Sequence, residues 1–221
     1  MQNRCVAILL MGGSGERFDS PIPKQFALLD EKPLFLHAAE VLSAAIDEVI
    51  YVVREEDKAL VRKTLAAHDL LRPDTAFVFG GATRQESVKN AVLSLKERDP
   101  DTIVVIHDAS RPWVLKEDVE KTVKAASEKG AAILAIPTAD SICVSEDGKK
   151  ANRYLDRKTI YRVQTPQAFR LGLLLDAEKK AKKDYTDEGS LVLGAMGIAP
   201  AIVEGRPENR KITTKADLLG E

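Results

Sequence analysis

The stretch LLMGGSGERFDSPIPKQF, Leu9 to Phe26, places three glycines within the four positions 12–15 and then supplies two separated cations, Arg17 and Lys24. The run that leads into it, VAILLM from Val6 to Met11, has the length and content of a buried strand. It is too short for a signal-peptide core or a membrane span, and it ends in glycines. A glycine turn on the end of such a strand lets main-chain amides approach a ligand closely, and nearby cations suit an anion. Two known patterns fail. A dinucleotide fingerprint starting at Gly13 needs a small residue where Phe18 stands, and an acidic residue about 20 positions on. A P-loop needs Lys and then Ser or Thr after its last glycine, where Glu16 and Arg17 stand. Two readings stay open: a turn that binds a polyphosphate, and a turn that only reverses the chain while its cations stay solvated.

Moving outward, apolar runs of strand length recur at EVIYVV (Glu48 to Val53), AFVF (Ala76 to Phe79), TIVVIH (Thr102 to His107), AAILAI (Ala131 to Ile136) and PAIVEG (Pro200 to Gly205). Between them PLFLHAAEVLSAA, EEDKALVRKTLAAHDLL, TRQESVKNAVLSLKER, KEDVEKTVKAASEKG and LGLLLDAEKKAKK have helical spacing. Strand followed by helix, repeated, predicts an α/β fold with a mostly parallel sheet and right-handed crossovers. Thr83 with Glu86 predicts a capping box, and Pro33 suits the first turn of its helix. Residues 138–162 break the alternation. TADSICVSEDGKKANRYLDRKTIYR has no helical face and carries a turn signal, EDGK, between β-compatible runs. That predicts a β-arm, serving either to pair the chain with a second copy or as a mobile surface loop. With no repeat or linker elsewhere, residues 1–221 are expected to form a single domain with 138–162 as an inserted arm.

The 221 residues are 44% hydrophobic and 30% charged with a net charge of −1, so the chain can bury a sizeable core but offers no broad positive field. Nucleic acid and membrane are therefore not expected as partners. Cys5 and Cys143 lie far apart without metal-ligand spacing, which argues against a thiol-rich metal site or a disulfide scaffold and fits a reducing cytosol.

GGSGERF with PKQF, then GGATRQESV, IHDASRP, YRVQTPQAF, TDEGSLV and VEGRPENRKITT occur in the order and spacing of one family. The chain resembles the 2-C-methyl-D-erythritol 4-phosphate cytidylyltransferases of the non-mevalonate isoprenoid pathway from Val6 to about Leu218. Ribitol 5-phosphate cytidylyltransferases share most of these motifs. The resemblance implies a Rossmann-like nucleotidyltransferase sheet with helices on both faces, and a reaction in which a substrate phosphate oxygen attacks the α-phosphorus of CTP and pyrophosphate leaves. Such a centre gains negative charge and needs fixed cations. The resemblance gives that role to Arg17, Lys24 and Lys211. Arg210 stands where the family suggests an apolar residue.

The same resemblance sets the nucleotide against Met11, Gly12, Gly13, Gly15, Gly81 and Ala82, with the Ser87 hydroxyl in reach and Ala109 near the ribose. Asp108 would contact a substrate hydroxyl or the magnesium-bound phosphates. Mg²⁺ is expected to be held chiefly by CTP oxygens and water, with Asp108 able to contribute. Arg111, Ser141, Arg157 and Thr165 are implied around the alcohol phosphate, with Arg157 reaching a neighbouring subunit's site in a homodimer. His107 is given no role beyond packing or a hydrogen-bond post, and Asp187 is not read as catalytic. TDEGSLV is expected to start a helix capped by Thr186 and to shape the site from behind. A CTP-sensing protein without turnover is the alternative from another class.

Overall fold

The structure, a computed structural model, describes residues 4–13, 18 and 22–219. Gly15 and Arg17 lie outside the described residues. Seven strands form the central sheet: β1 (Cys5–Leu10), β4 (Glu48–Val53), β5 (Ala76–Phe79), β6 (Ile103–Asp108), β7 (Ala131–Pro137), β10 (Tyr161–Arg170) and β11 (Ala201–Glu204). Their spatial order is β11-β7-β10-β6-β1-β4-β5. Two short ribbons, β2 (Leu28–Leu29) with β3 (Lys32–Pro33) and β8 (Ile142–Val144) with β9 (Arg153–Leu155), form separate sheets. The helices are α1 (Leu34–Ala45), α2 (Lys58–Ala67), α3 (Arg84–Ser94), α4 (Lys116–Lys129), α5 (Leu171–Lys180), α6 (Glu188–Met196) and α7 (Lys215–Leu219).

Strand β1 explains the layering. Val6 and Ile8 point to one face, where they join Val88 and Val92 of α3, Leu174 of α5 and Leu191 of α6. Ala7 and Leu9 point to the other face, among Phe35 and Leu42 of α1, Val61 and Leu65 of α2 and Val119 of α4. A strand covered on both sides must be apolar at every position, which is why VAILLM shows no alternation. Each large aliphatic side chain fully buried this way contributes roughly 1.5–3 kcal/mol. The pairs β1–β4, β1–β6, β4–β5 and β7–β11 are parallel, as expected for strand–helix repeats.

Strand β10 corrects the sequence reading. YRVQTPQAF has no strand-like apolar pattern, yet it runs antiparallel between β6 and β7, with a register break between Gln164 and Gln167. The polar side chains it buries each have a partner: Gln164 Nε2 donates to Arg206 O at 2.8 Å, and Gln167 Oε1 accepts from the Gly189 amide at 3.0 Å. Tyr161 and Arg162 belong to this strand, so the arm ends before them.

The arm itself is a hairpin pairing Ile142 with Leu155 and Val144 with Arg153. Its tip turns at Gly148 (φ 69°), and the Asp147 carboxylate accepts from the amides of Lys149 and Lys150. Local capping departs from expectation in three places. Helix α6 is capped by Asp187, not Thr186, through a capping box with Ser190. Thr83 does accept from the Glu86 amide, but the Glu86 carboxylate accepts from Ala82 N at 2.7 Å rather than from Thr83. Pro33 stands one position before the first helical residue.

Candidate active site

The strand order reverses beside β1: the chain moves from β1 to β4 and β5 on one side, then returns to β6 on the other. In open α/β sheets that reversal leaves a crevice beyond the carboxyl ends of the strands. A cavity of about 400 Å³ lies there, lined by Leu10–Gly13 after β1, Arg54 after β4, Gly81–Arg84 and Ser87 after β5, and Asp108–Ser110 at the end of β6. Lys24, Gln25 and Lys211 complete the lining.

Main-chain bonds carry the strand ladder past the strand ends and hold these turns in place. Met11 N donates to Val52 O, Gly80 N to Val53 O and Ala109 N to Leu10 O, each at 3.0 Å. A side chain at Gly81 would put its Cβ 2.4 Å from the Glu86 Cβ, so the turn requires glycine. Among the described residues nothing lies within 4 Å of a Cβ built at Gly13, so none of them demands glycine there. The Gly81 amide donates to Ser87 Oγ at 3.0 Å and the Ala82 amide to Glu86, while Ser87 Oγ donates to Thr83 O. Apart from Gly15, outside the described residues, the expected nucleotide-contacting residues line the cavity, with these two amides and the Ser87 hydroxyl already engaged within the turn.

The two described lysines of the expected catalytic set come together from opposite ends of the chain. Lys24 sits in a 3-10 turn, Lys24–Phe26, and its Nζ donates to Ile212 O at 3.0 Å. Ile212 is fully buried with Phe18 and Leu34, and its amide donates to Ser110 O at 2.8 Å, which fastens the Lys211 segment to the end of β6. The neighbouring Gln25 donates to Asp57 at 3.2 Å, and Arg54 bridges the same carboxylate at 2.8 Å. Arg210, where an apolar residue was expected, lies over the Trp113 ring at 4.2 Å.

Asp108 sits between two cations, with Arg84 Nε 3.3 Å from Oδ1 and Lys211 Nζ 2.7 Å from Oδ2. Burial opposes its ionisation, but Arg84 and Lys211 outweigh burial and hold the carboxyl well below the usual carboxylate range. Behind it, Arg84 forms a two-pronged bridge to Glu188, at 2.7 and 3.0 Å. Burial disfavours the Arg84 charge, and the two carboxylates more than compensate, so the guanidinium is held ionised. Sequence reasoning gave Arg84 and Glu188 no role. Both lie inside quoted motifs, GGATRQESV and TDEGSLV, but an Arg in the first turn of a helix reads as a solvated charge until its partner 104 positions away is known.

Thr165 lies beneath Asp108 and outside the cavity lining. Its hydroxyl accepts from Asp108 N at 3.1 Å and lies 3.0 Å from His107 Nδ1, while His107 Nε2 is 3.1 Å from Arg111 O. These bonds fit a neutral imidazole carrying its proton on Nε2, and burial lowers the pKa of His107 to about 4. Arg111 is also outside the lining: it donates to Asn209 O at 2.8 Å and Val163 O at 3.4 Å. Ser141 and Arg157 sit on the exposed arm, where Arg157 donates to Ala139 O at 3.3 Å, and neither lines the cavity of its own chain.

A metal is tested by this donor set. Among the described residues no group of three or more His, Cys, Asp and Glu side chains converges as a cage. Among the described residues that line the cavity, Asp108 is the carboxylate. One carboxylate facing several cations fits a divalent ion that brings most of its ligands as phosphate oxygens and water.

A cation-lined crevice at the reversal point of a mostly parallel sheet, edged by glycine turns, defines a nucleotide-handling α/β enzyme of the nucleotidyltransferase class. The chain belongs to the 2-C-methyl-D-erythritol 4-phosphate cytidylyltransferase (IspD) family, whose model matches residues 5–220. It is 39% identical to the 2-C-methyl-D-erythritol 4-phosphate cytidylyltransferase of Syntrophus aciditrophicus (strain SB), over 99% of this chain and 94% of that protein. It is 36% identical to the enzyme of the same name from Bacillus velezensis, over 97% of this chain and 92% of that protein. Among solved structures it resembles 4-diphosphocytidyl-2C-methyl-D-erythritol synthase from Anaerococcus prevotii, with a TM-score of 0.82 and 26% identity over 99% of this chain and 96% of that one.

Proposed function

We propose that the chain condenses CTP with 2-C-methyl-D-erythritol 4-phosphate, giving 4-diphosphocytidyl-2-C-methyl-D-erythritol and pyrophosphate in non-mevalonate isoprenoid synthesis. The observation that carries this reading is the convergence of Lys24 and Lys211 on the rim of a crevice edged by the Gly12–Gly13 and Gly81–Ala82 turns. An oxygen of the alcohol phosphate attacks the α-phosphorus in line, the bond to the β-phosphate breaks, and pyrophosphate departs. The lysines, together with Arg17, stabilise the charge that builds on the transferring and leaving groups. The glycine turns hold the cytidine half, with Ala109 and Ser87 alongside. Asp108 would help hold Mg²⁺, a divalent ion that brings most of its ligands as phosphate oxygens and water and would supply charge neutralisation at the phosphates.

Two chains are proposed to pair through the arm. Ser141 and Arg157 are implied at the alcohol phosphate yet do not line the cavity of their own chain, and a partner's arm would supply them. The exposed Tyr154 and the small, separate β8–β9 ribbon support that reading. A cytosolic setting agrees with two cysteines far apart in the sequence, Cys5 half-buried and Cys143 exposed. Pyrophosphate release should be measured with each of the four nucleoside triphosphates, with and without the alcohol phosphate. Release from CTP only when the second substrate is present supports the transferase. CTP binding without release in any mixture would make the chain a sensor.

A further inference from the structure

The row Glu188–Arg84–Asp108–Lys211 alternates in charge between a buried end and an open one. The side chain of Glu188 is 3% exposed and that of Lys211 38%, with Arg84 at 29%, itself on the cavity lining, and Asp108 at 10% between them. We propose that Glu188 and Arg84 are positioning residues, in which Glu188 clamps the Arg84 guanidinium so that it fixes one oxygen of Asp108 and leaves the other to be exchanged with Lys211. This rests on the cytidylyltransferase reading of the pocket.

Geometry separates a fixed half from an exchangeable half. Two of the guanidinium nitrogens are spent on Glu188 in a fork that a carboxylate matches, and only Nε reaches Asp108 Oδ1. The second oxygen of Asp108 meets the Lys211 ammonium, a flexible point charge on the pocket side. When phosphates arrive, Lys211 can turn to them and release Oδ2 while Arg84 keeps the carboxylate aimed. Glu188 does not line the cavity, so whatever it contributes passes through Arg84.

Fastening α6 to α3 is the competing explanation for the bridge, but that task has other means. Gln167 bonds the Gly189 amide and the Asp187 carboxylate at the start of α6, and Tyr185 N donates to Gln85 Oε1 of α3 at 2.7 Å.

The test compares the full-length wild type with Arg84→Ala, Arg84→Lys, Glu188→Gln and the double variant Arg84→Ala/Glu188→Gln. Pyrophosphate release from CTP and methylerythritol phosphate is followed with and without millimolar guanidinium. Arg84→Ala and Glu188→Gln should each lower kcat by about tenfold or more while the KM for CTP stays within about threefold, the signature of lost transition-state geometry rather than lost binding. Arg84→Lys should not recover, because an ammonium lacks the fork. Guanidinium should restore Arg84→Ala and fail with the double variant, which should be no slower than Arg84→Ala alone.

Wild-type kcat in Arg84→Ala, or equal rescue with and without the Glu188 carboxylate, overturns the proposal. If Arg84→Ala does not fold, Glu188→Gln decides alone, and unchanged kcat there overturns it. Proton exchange at the Arg84 Nε–H, followed by NMR, reads the clamp without turnover. It should be slow in the wild type and fast in Glu188→Gln, with main-chain protection in α3 and α6 unchanged; slow exchange in both overturns the clamp. If the wild type releases no pyrophosphate from this pair of substrates, the cytidylyltransferase reading fails and the NMR result alone judges the clamp.

Discussion

The Lys24 ammonium donates to the main-chain oxygen of Ile212 at 3.0 Å, across 188 positions of sequence. Through that bond, and through Ile212 buried against Phe18 and Leu34, the two lysines of the pocket share one rim. Lys24→Ala and Lys211→Ala should each lower turnover by roughly a hundredfold or more, the scale for removing one preorganised charge at a transition state. Thermal melting should fall little in Lys24→Ala and further in Lys211→Ala, which leaves the buried Asp108 carboxylate paired with Arg84 alone. Near-normal turnover in a folded variant would remove that lysine from the catalytic set.

His107 makes a prediction about acid. Its buried imidazole has a pKa near 4 against the ordinary 6.5, so the unfolded chain takes up the proton first as pH falls. The neutral form adds no pH dependence above about 6.5; between about 6.5 and 4 the folded state loses stability on the order of 3 kcal/mol. The depressed Asp108 carboxyl adds a second loss in more acidic solution, below its ordinary 3.8. Denaturant unfolding of the wild type and His107→Gln at neutral pH and near pH 4.5 checks this. The variant should lose markedly less on acidification, and an equal loss would show that His107 is not the group responsible.

Gly81 and Gly13 should respond differently to a methyl group. At Gly81 the new Cβ meets Glu86 at 2.4 Å and the turn must shift, whereas at Gly13 none of the described residues lies within 4 Å. Gly81→Ala should lower both the melting temperature and CTP affinity, the latter by about tenfold or 1.4 kcal/mol. Gly13→Ala should leave melting unchanged while weakening CTP. Calorimetric titration with thermal melting separates the two, and unchanged affinity in both would take the nucleotide off the glycine turns.

Much of this fold was legible because its strands are covered on both faces. EVIYVV and AFVF coincide with β4 and β5, since continuous apolar runs of that length have few other uses. Strand β10 was not legible. Its buried Gln164, Thr165 and Gln167 look like loop residues until Arg206, Asp108 and Gly189 are seen beside them. At the site, the glycine turns, Lys24, Lys211 and Asp108 could be read from motifs, and the structure brings all of them to one cavity. The ion pair of Arg84 with Glu188 could not, because pairing over 104 positions leaves no local pattern. Thr186 was misread by one position as the cap of α6, since Thr and Asp are both good caps and sequence does not rank neighbours.

If the arm crosses to a partner, defects on the two sides of a shared site should complement. A Lys24→Ala chain and an Arg157→Ala chain, each nearly inactive, would form heterodimers with one doubly defective site and one intact site. Random pairing makes half of the dimers mixed, so an equal mixture should regain about a quarter of the wild-type sites. No recovery, once mass spectrometry has shown that subunits exchange, would return Arg157 to its own chain.

The account turns on which phosphate attacks CTP, and ³¹P NMR of the reaction mixture reads that bond directly. With Mg²⁺, CTP and methylerythritol 4-phosphate, the phosphomonoester signal should give way to a coupled pair of diphosphate signals with one pyrophosphate released per product. Ribitol 5-phosphate in its place should react with a kcat/KM at least about tenfold lower, some 1.4 kcal/mol of discrimination. Faster conversion of ribitol phosphate, or no coupled pair from methylerythritol phosphate under any condition that binds CTP, would contradict it.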